Sequence, residues 1–240
     1  ELSKEAVDRV MMRRGKQTIY DDNGERIFPN REVGTIPVER THEERQFYQA
    51  VTEYVKHVYN RSEQLNEPAV GFAMALMQKR LVSSIGAIKA TLSRRLANLV
   101  DQQSTATSLS EAATAYLEGE DLDEEDKQNA EEELAGLTIT ESDAQLEEEI
   151  ETLRDLVSLA EGIPVDSKAQ KVRRYIQQLL EENPNEKVLL FTEYRDTLDY
   201  ILDLVKDEPW ADEILTIHGD VDKEDRAKIE DEFNHGQSRL

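Results

Sequence analysis

The chain has 240 residues, 34 % of them charged, with 52 acidic and 29 basic side chains and a formal net charge of −23. It has no cysteine, which excludes disulfides and thiolate metal sites, and no apolar run near the roughly 20 residues that span a bilayer. The start, Glu1-Leu-Ser-Lys-Glu5, lacks the basic and apolar regions of a signal peptide, so the expectation is a cytoplasmic protein of one or two domains.

The charge is unevenly placed. Residues 1–100 hold 16 basic and 13 acidic side chains, residues 101–161 hold 2 and 20, and residues 162–240 hold 11 and 19. One acidic block therefore dominates the balance, and the overall charge says little about the first hundred residues.

Residues 5–14 (Ala6, Val7, Val10, Met11) have the spacing of a short helix. Asn23-Gly24 between apolar runs is the signature of a type I′ turn, because both central residues need positive φ. Strands are expected near 17–20 and 25–28, with a third at 33–38 that Pro37 confines to an edge. Thr41 with Glu44 forms a capping box, opening a helix of about 42–60 with Phe47, Val51, Tyr54, Val55 and Val58 inward. From Pro68 the apolar residues recur at 70, 74, 77, 81, 85, 88, 92, 96 and 99, which predicts one continuous helix of about nine turns. Residues 101–141 are polar and acidic, and read as a solvated insertion. A helical stripe resumes over 142–161. Ser167, with Gln170 three residues on, caps a helix over 168–182.

The last stretch governs the fold class. Val188-Leu-Leu-Phe191 and Ile214-Leu-Thr-Ile217 are short apolar runs, each followed by an amphipathic helix, at about 195–206 and from Asp222 onward. Repetition of that pattern predicts βαβα with a parallel sheet. The chain stops two strand–helix units into the sheet, so an α/β domain that is cut short or completed from outside is expected. Helix-rich α/β is the predicted class, with a small N-terminal β-hairpin, a long helical protrusion and a partial parallel α/β lobe.

Catalytic signatures are missing. There is no Gly-x-x-x-x-Gly-Lys-Ser/Thr loop, no Gly-x-Gly-x-x-Gly fingerprint and no nucleophile elbow. His42, His57, His218 and His235 lack metal-ligand spacing. No catalytic or metal-binding residue is therefore named. Candidate contact residues sit where open α/β sheets bind ligands, just past the strand ends. They are Thr192, Tyr194 and Arg195 after the first run, and His218 and Gly219 after the second. Lys79 and Arg80, with Arg94 and Arg95, place basic groups along the long helix, as a phosphate-tracking stripe or a solvated face. The alternative for the first loop is local: Thr192 or Asp196 caps the helix and Arg195 pairs with Asp199.

Several passages resemble one family. Met11-Met-Arg-Arg-Gly-Lys16 with Phe28-Pro-Asn-Arg31, Thr41-His-Glu-Glu-Arg-Gln-Phe-Tyr48, and Gln78-Lys-Arg-Leu-Val-Ser-Ser84 with Ala87 and Leu92 come first in order. Ser167-Lys168, Val188 to Thr197, and Ile217-His-Gly219 with Arg226 and Phe233 follow. Together they resemble Swi/Snf-type helicases of superfamily 2, in the subgroup of bacterial RNA-polymerase-recycling and phage-defence enzymes. The acidic stretch 101–141 and Gly15 depart from the family pattern.

The resemblance implies a linker after the first motor lobe (1–40), a helical protrusion with an acidic insertion (41–164), and the first half of a RecA-like second lobe (165–240). It implies an ATP hydrolase that uses ATP and Mg to move on double-stranded DNA, allows other protein subunits as partners, and involves no membrane. Its nucleotide-binding motifs would lie outside this chain, leaving the chain inactive alone. The competing class is a non-catalytic helical interaction module that docks a protein partner on the stripe 70–99. A small-molecule α/β enzyme has only the βαβα pattern behind it.

Overall fold

A computed structural model describes residues 19–21, 23–25, 27, 32–101, 109–120, 122, 124–137 and 142–240. The chain divides into two compact units, 1–37 and 38–240. The expected helix at 5–14 lies outside the described residues, as do Arg13, Arg14 and Lys16.

In the first unit the chain turns near Asn23-Gly24, but not as the expected type I′ pair: Gly24 N–H donates to Asp21 O at 3.1 Å, so Gly24, at φ +79°, closes the turn instead of sitting at its centre. The Asp21 carboxylate accepts from the Asn23 and Glu25 amides at 2.9 and 2.8 Å. Asp21 N–H donates to Glu25 O at 2.8 Å, and Ile27 N–H to Ile19 O at 3.2 Å. Two bonds across a turn do not make a ladder, and no strand follows among the described residues. The third expected strand does not form among the described residues. Its Val33 is 80 % exposed, so no burial stabilises it, and Pro37 has no amide to donate.

The second unit contains nine α-helices among its described residues. They are α1 (His42–Leu65), α2 (Pro68–Ser83), α3 (Ile85–Asp101), α4 (Glu111–Glu118), α5 (Glu124–Ala135), α6 (Asp143–Glu161), α7 (Ser167–Glu182), α8 (Arg195–Val205) and α9 (Lys223–His235). The capping box at α1 is present: Thr41 Oγ accepts from Glu44 N–H at 3.2 Å, and the Glu44 carboxylate accepts from Thr41 N–H at 2.6 Å. Asn66, left-handed at φ 57°, ends α1, and Pro68 starts α2 where its missing amide costs nothing.

The main core is helical. Phe47, Val51 and Val58 of α1, Met74, Met77 and Leu81 of α2, Ile88, Leu92 and Leu99 of α3, and Leu153 and Leu156 of α6 form one buried cluster. Arg95 is fully buried inside it. Its Nε donates to the Tyr54 hydroxyl at 2.7 Å, its guanidinium pairs with Glu149 at 2.8 Å, and it donates to the carbonyls of Ala135 (3.2 Å) and Leu137. One side chain thus joins α1, α3, α6 and the end of α5.

Three expectations need correcting. The long helix is two helices, broken at Ser84 (φ −159°, ψ 157°). The break is tolerated because side chains take over the freed amides: Ser84 Oγ accepts from Ala87 N–H at 3.0 Å, and Asp166 accepts from Ile85 N–H at 3.1 Å. Asp166, not Ser167, caps α7, accepting from Ala169 N–H at 2.5 Å. The acidic stretch holds two packed helices, α4 and α5. Ala113, Ala130 and Leu134 close on Leu76 of α2, and Phe72 meets the Tyr116 ring edge-on at 5.6 Å.

The fold class is the largest correction. Among the described residues there is no sheet, so the α/β class, the β-hairpin and the parallel-sheet lobe are not observed. Residues 187–191 and 214–217 form no strand, and they or their neighbours meet the segment 238–240 through few bonds: Val188 N–H to Arg239 O at 2.7 Å, Leu215 N–H to Leu240 O at 2.6 Å, and Leu240 N–H to Glu213 O at 3.4 Å. A strand needs successive backbone pairs, and these runs lack them. Their side chains are correspondingly open: Leu189 is 66 % and Phe191 86 % exposed. Among the described residues no helix is long and apolar enough to cross a membrane.

Candidate nucleic-acid interface

The site is organised by the joint between α2 and α3. Thr197, in the first turn of α8, shares hydrogen bonds with Ser83 (2.8 Å) and Ser84 (2.9 Å). Lys168 of α7 donates to the carbonyls of Val82 (3.1 Å) and Ser83 (2.9 Å), completing the C-terminus of α2. Asp166 N–H donates to the Tyr200 hydroxyl at 3.0 Å. Burial pushes Tyr200 up to about 12, with the charges of Asp166 and Glu44 adding to it, so this phenol stays protonated. Glu44 accepts from Ser167 N–H and from Ser167 Oγ at 2.7 Å. Burial opposes its ionisation, but the Ser167 and Thr41 donors win and hold its carboxyl below the usual value.

Against this joint lies a cleft of about 320 Å³. It brings together Arg80 and all five loop candidates, Thr192, Tyr194, Arg195, His218 and Gly219. Lys79 is exposed and lines an adjoining hollow with Thr192, Tyr194 and Lys168.

Side-chain roles differ from those expected. Arg80 is 2 % exposed. It donates to Thr91 Oγ1 at 3.0 Å and to Asp196 at 3.2 Å, lies 3.9 Å from Glu131, and faces the Tyr194 ring at 5.2 Å. Lys79 and Arg80 are therefore not one solvated stripe, because consecutive helix positions face different ways. Asp196 does not cap α8. It bridges Arg80 and Arg94, whose guanidinium meets both its oxygens at 3.1 and 2.5 Å. Arg195 pairs with Asp199 at 2.9 Å, as the local alternative anticipated, and also with Asp220 at 3.3 Å.

The second loop is held by Arg226, which donates to the carbonyls of His218 (3.0 Å), Gly219 (2.9 Å) and Val221 (2.7 Å). Among the described residues, three buried polar atoms of the cleft find no hydrogen-bond partner: Arg80 Nε, the Tyr194 hydroxyl and His218 Nδ1. Asp220 stands 3.5 Å from His218 Nδ1, too poorly placed to hydrogen-bond it. Burial, reinforced by Glu193 and Glu131, raises the Tyr194 phenol well above its usual range, which keeps it a donor.

The lining charges balance: Arg80, Lys127, Arg195 and Arg226 against Glu131, Glu132, Glu193 and Asp196. Sequence reasoning missed Glu131 and the bridging role of Asp196. Their only sequence signal is charge, and the chain has carboxylates everywhere. ATP with Mg does not fit the residues present. The chain has no phosphate loop, and among the described residues no three carboxylates or histidines gather to hold a metal ion.

Residues 170–240 match the helicase conserved C-terminal domain family, so this stretch is helicase-related, and it includes the five loop candidates. No curated protein matches the chain, and no solved structure does.

Proposed function

We propose that this chain is part of an ATP-dependent, Swi/Snf-type translocase acting on double-stranded DNA in the cytoplasm. It supplies a helical protrusion (41–164) and part of a second motor lobe (165–240). ATP and Mg are held by other parts of the motor, and the chain alone hydrolyses no ATP. The observation that carries the reading is the convergence of the helicase-related loops 192–195 and 218–219 with Arg80 on a single cleft, beside a hollow where Lys79 meets Thr192 and Tyr194. Thr192 and Lys79 offer donors to backbone phosphates, while Arg80, Arg94 and Asp196 set the geometry behind them. The interaction-module reading loses its docking surface, because the stripe 70–99 is covered by α1 and α6 of the same chain.

The test is duplex-DNA binding by fluorescence anisotropy across a KCl series. Affinity that falls steeply with salt is expected, and Lys79→Ala with Thr192→Ala should weaken it by about tenfold, in the range set by two lost phosphate contacts. Salt-insensitive binding, or none, overturns the DNA reading. DNA-stimulated ATP hydrolysis by the purified chain overturns its inactivity.

A further inference from the structure

The turn that carries His218 and Gly219 is shaped mainly by one side chain. Its backbone supplies a single bond across the turn, from Val221 N–H to His218 O at 3.2 Å. Arg226, in the first turn of α9, does the rest. Its Nε donates to Val221 O at 2.7 Å, and its Nη2 donates to His218 O at 3.0 Å and Gly219 O at 2.9 Å. A guanidinium is a rigid planar fork, so the carbonyls bound to it are fixed in direction as well as in place. Asp220 ties the same turn to α8 through Arg195 at 3.3 Å.

Gathering the carbonyls on one cation leaves the amides over. Among the described residues, neither Gly219 N–H nor Asp220 N–H has a hydrogen-bond partner. Gly219 is half-buried in the cleft wall and Asp220 is exposed. The α9 amides that follow are already capped, because Asp222 accepts from Glu224 and Asp225 N–H at 2.9 and 2.8 Å. The open donors therefore belong to the turn itself, and successive amides of a turn can hold an anionic oxygen. Arg226 is exposed, so a direct phosphate contact through its remaining nitrogen, Nη1, is the competing role. Its other two nitrogens are committed to the turn.

We propose that Arg226 is a positioning residue for the second loop. It draws the carbonyls of His218, Gly219 and Val221 onto itself, and so presents the amides of Gly219 and Asp220 to a backbone phosphate. The inference rests on the proposed DNA-binding function and deepens it. Contact at this loop is made by uncharged amides, without reading base sequence.

The experiment measures duplex-DNA affinity over a KCl series for the unsubstituted chain, Arg226→Lys and Arg226→Gln. Amide NMR follows the Gly219 and Asp220 signals of the unsubstituted chain as DNA is added. Lysine keeps the charge but not the fork. Both variants are therefore expected to bind about tenfold more weakly, the order of one lost hydrogen-bonded contact. Their salt slope should match that of the unsubstituted chain, because the slope counts phosphates neutralised by Lys and Arg. The Gly219 and Asp220 signals should move when DNA is added. If Arg226→Lys binds like the unsubstituted chain while Arg226→Gln lowers the slope by about one, Arg226 meets phosphate directly and the proposal is overturned. Unchanged affinity in both variants overturns it too, as do amide signals that DNA leaves in place. If the unsubstituted chain binds no DNA, the DNA reading itself falls, and this role with it.

Discussion

Arg95 shows how much of this molecule depends on single buried charges. Its guanidinium is completely enclosed, and Glu149 and the Tyr54 hydroxyl are its partners. Removing one member of such a group strands the others in a medium that cannot solvate them. Arg95→Met is expected to cost about 3–5 kcal/mol in urea unfolding, the usual penalty for an orphaned buried charge. Replacing Glu149 by Leu as well should recover part of that loss. A single variant within experimental error of the parent chain would show that the triad contributes nothing. Glu44 makes a different prediction. Its folded carboxyl titrates below its ordinary value of 4.5, so the stability it contributes is complete above that value and is lost as pH falls through the lower folded one. Stability should therefore drop more steeply below about pH 5, the onset for depressed carboxylates, in the parent chain than in Glu44→Gln. Parallel curves would count against it.

Among the elements, α1 and α9 were legible because a cap and a helical start coincide, at Thr41 with Glu44 and at Asp222, while α6 and α8 were legible from the 3.6-residue stripe alone. The break at Ser84 was not. Leu81, Ile85 and Ile88 keep the helical spacing across it, and the groups that stabilise it, Asp166 and Thr197, come from far along the chain. The apolar runs 188–191 and 214–217 misled for another reason. Short apolar runs announce burial or pairing without saying whether partners are present, and here the backbone partners are few. The site was half legible: the loop residues converge, but what neutralises them does not show in sequence. Asp196 reaches Arg80 across 116 residues. The joint itself is tight. A Cβ at Gly86 would lie 2.5 Å from Tyr200 Cγ and 2.8 Å from its Cβ, atoms that cannot swing away. Gly86→Ala should lower stability by about 1–3 kcal/mol, as overpacking does, whereas Gly34→Ala meets open space and should be neutral in the same melting experiment. An unaffected melting temperature for Gly86→Ala would mean that the joint is loose.

At the scale of the whole molecule, a net charge of −23 works against both compactness and polyanion binding. Under the proposed DNA reading, long-range steering does not recruit the duplex, and contact would be local, within the roughly 8–10 Å over which charges act at physiological salt. In that reading the helicase-related C-terminal stretch and the cleft beside Arg80 are the place of contact. Placing a photo-crosslinking amino acid at Thr192, with Leu159 on α6 as the control position, and irradiating with labelled duplex DNA tests this most directly. Leu159 is exposed and lies on a different cleft. The account predicts a covalent DNA adduct from position 192, suppressed by raised KCl, and none from position 159. Equal adducts from both positions, or an adduct from 159 alone, would contradict it.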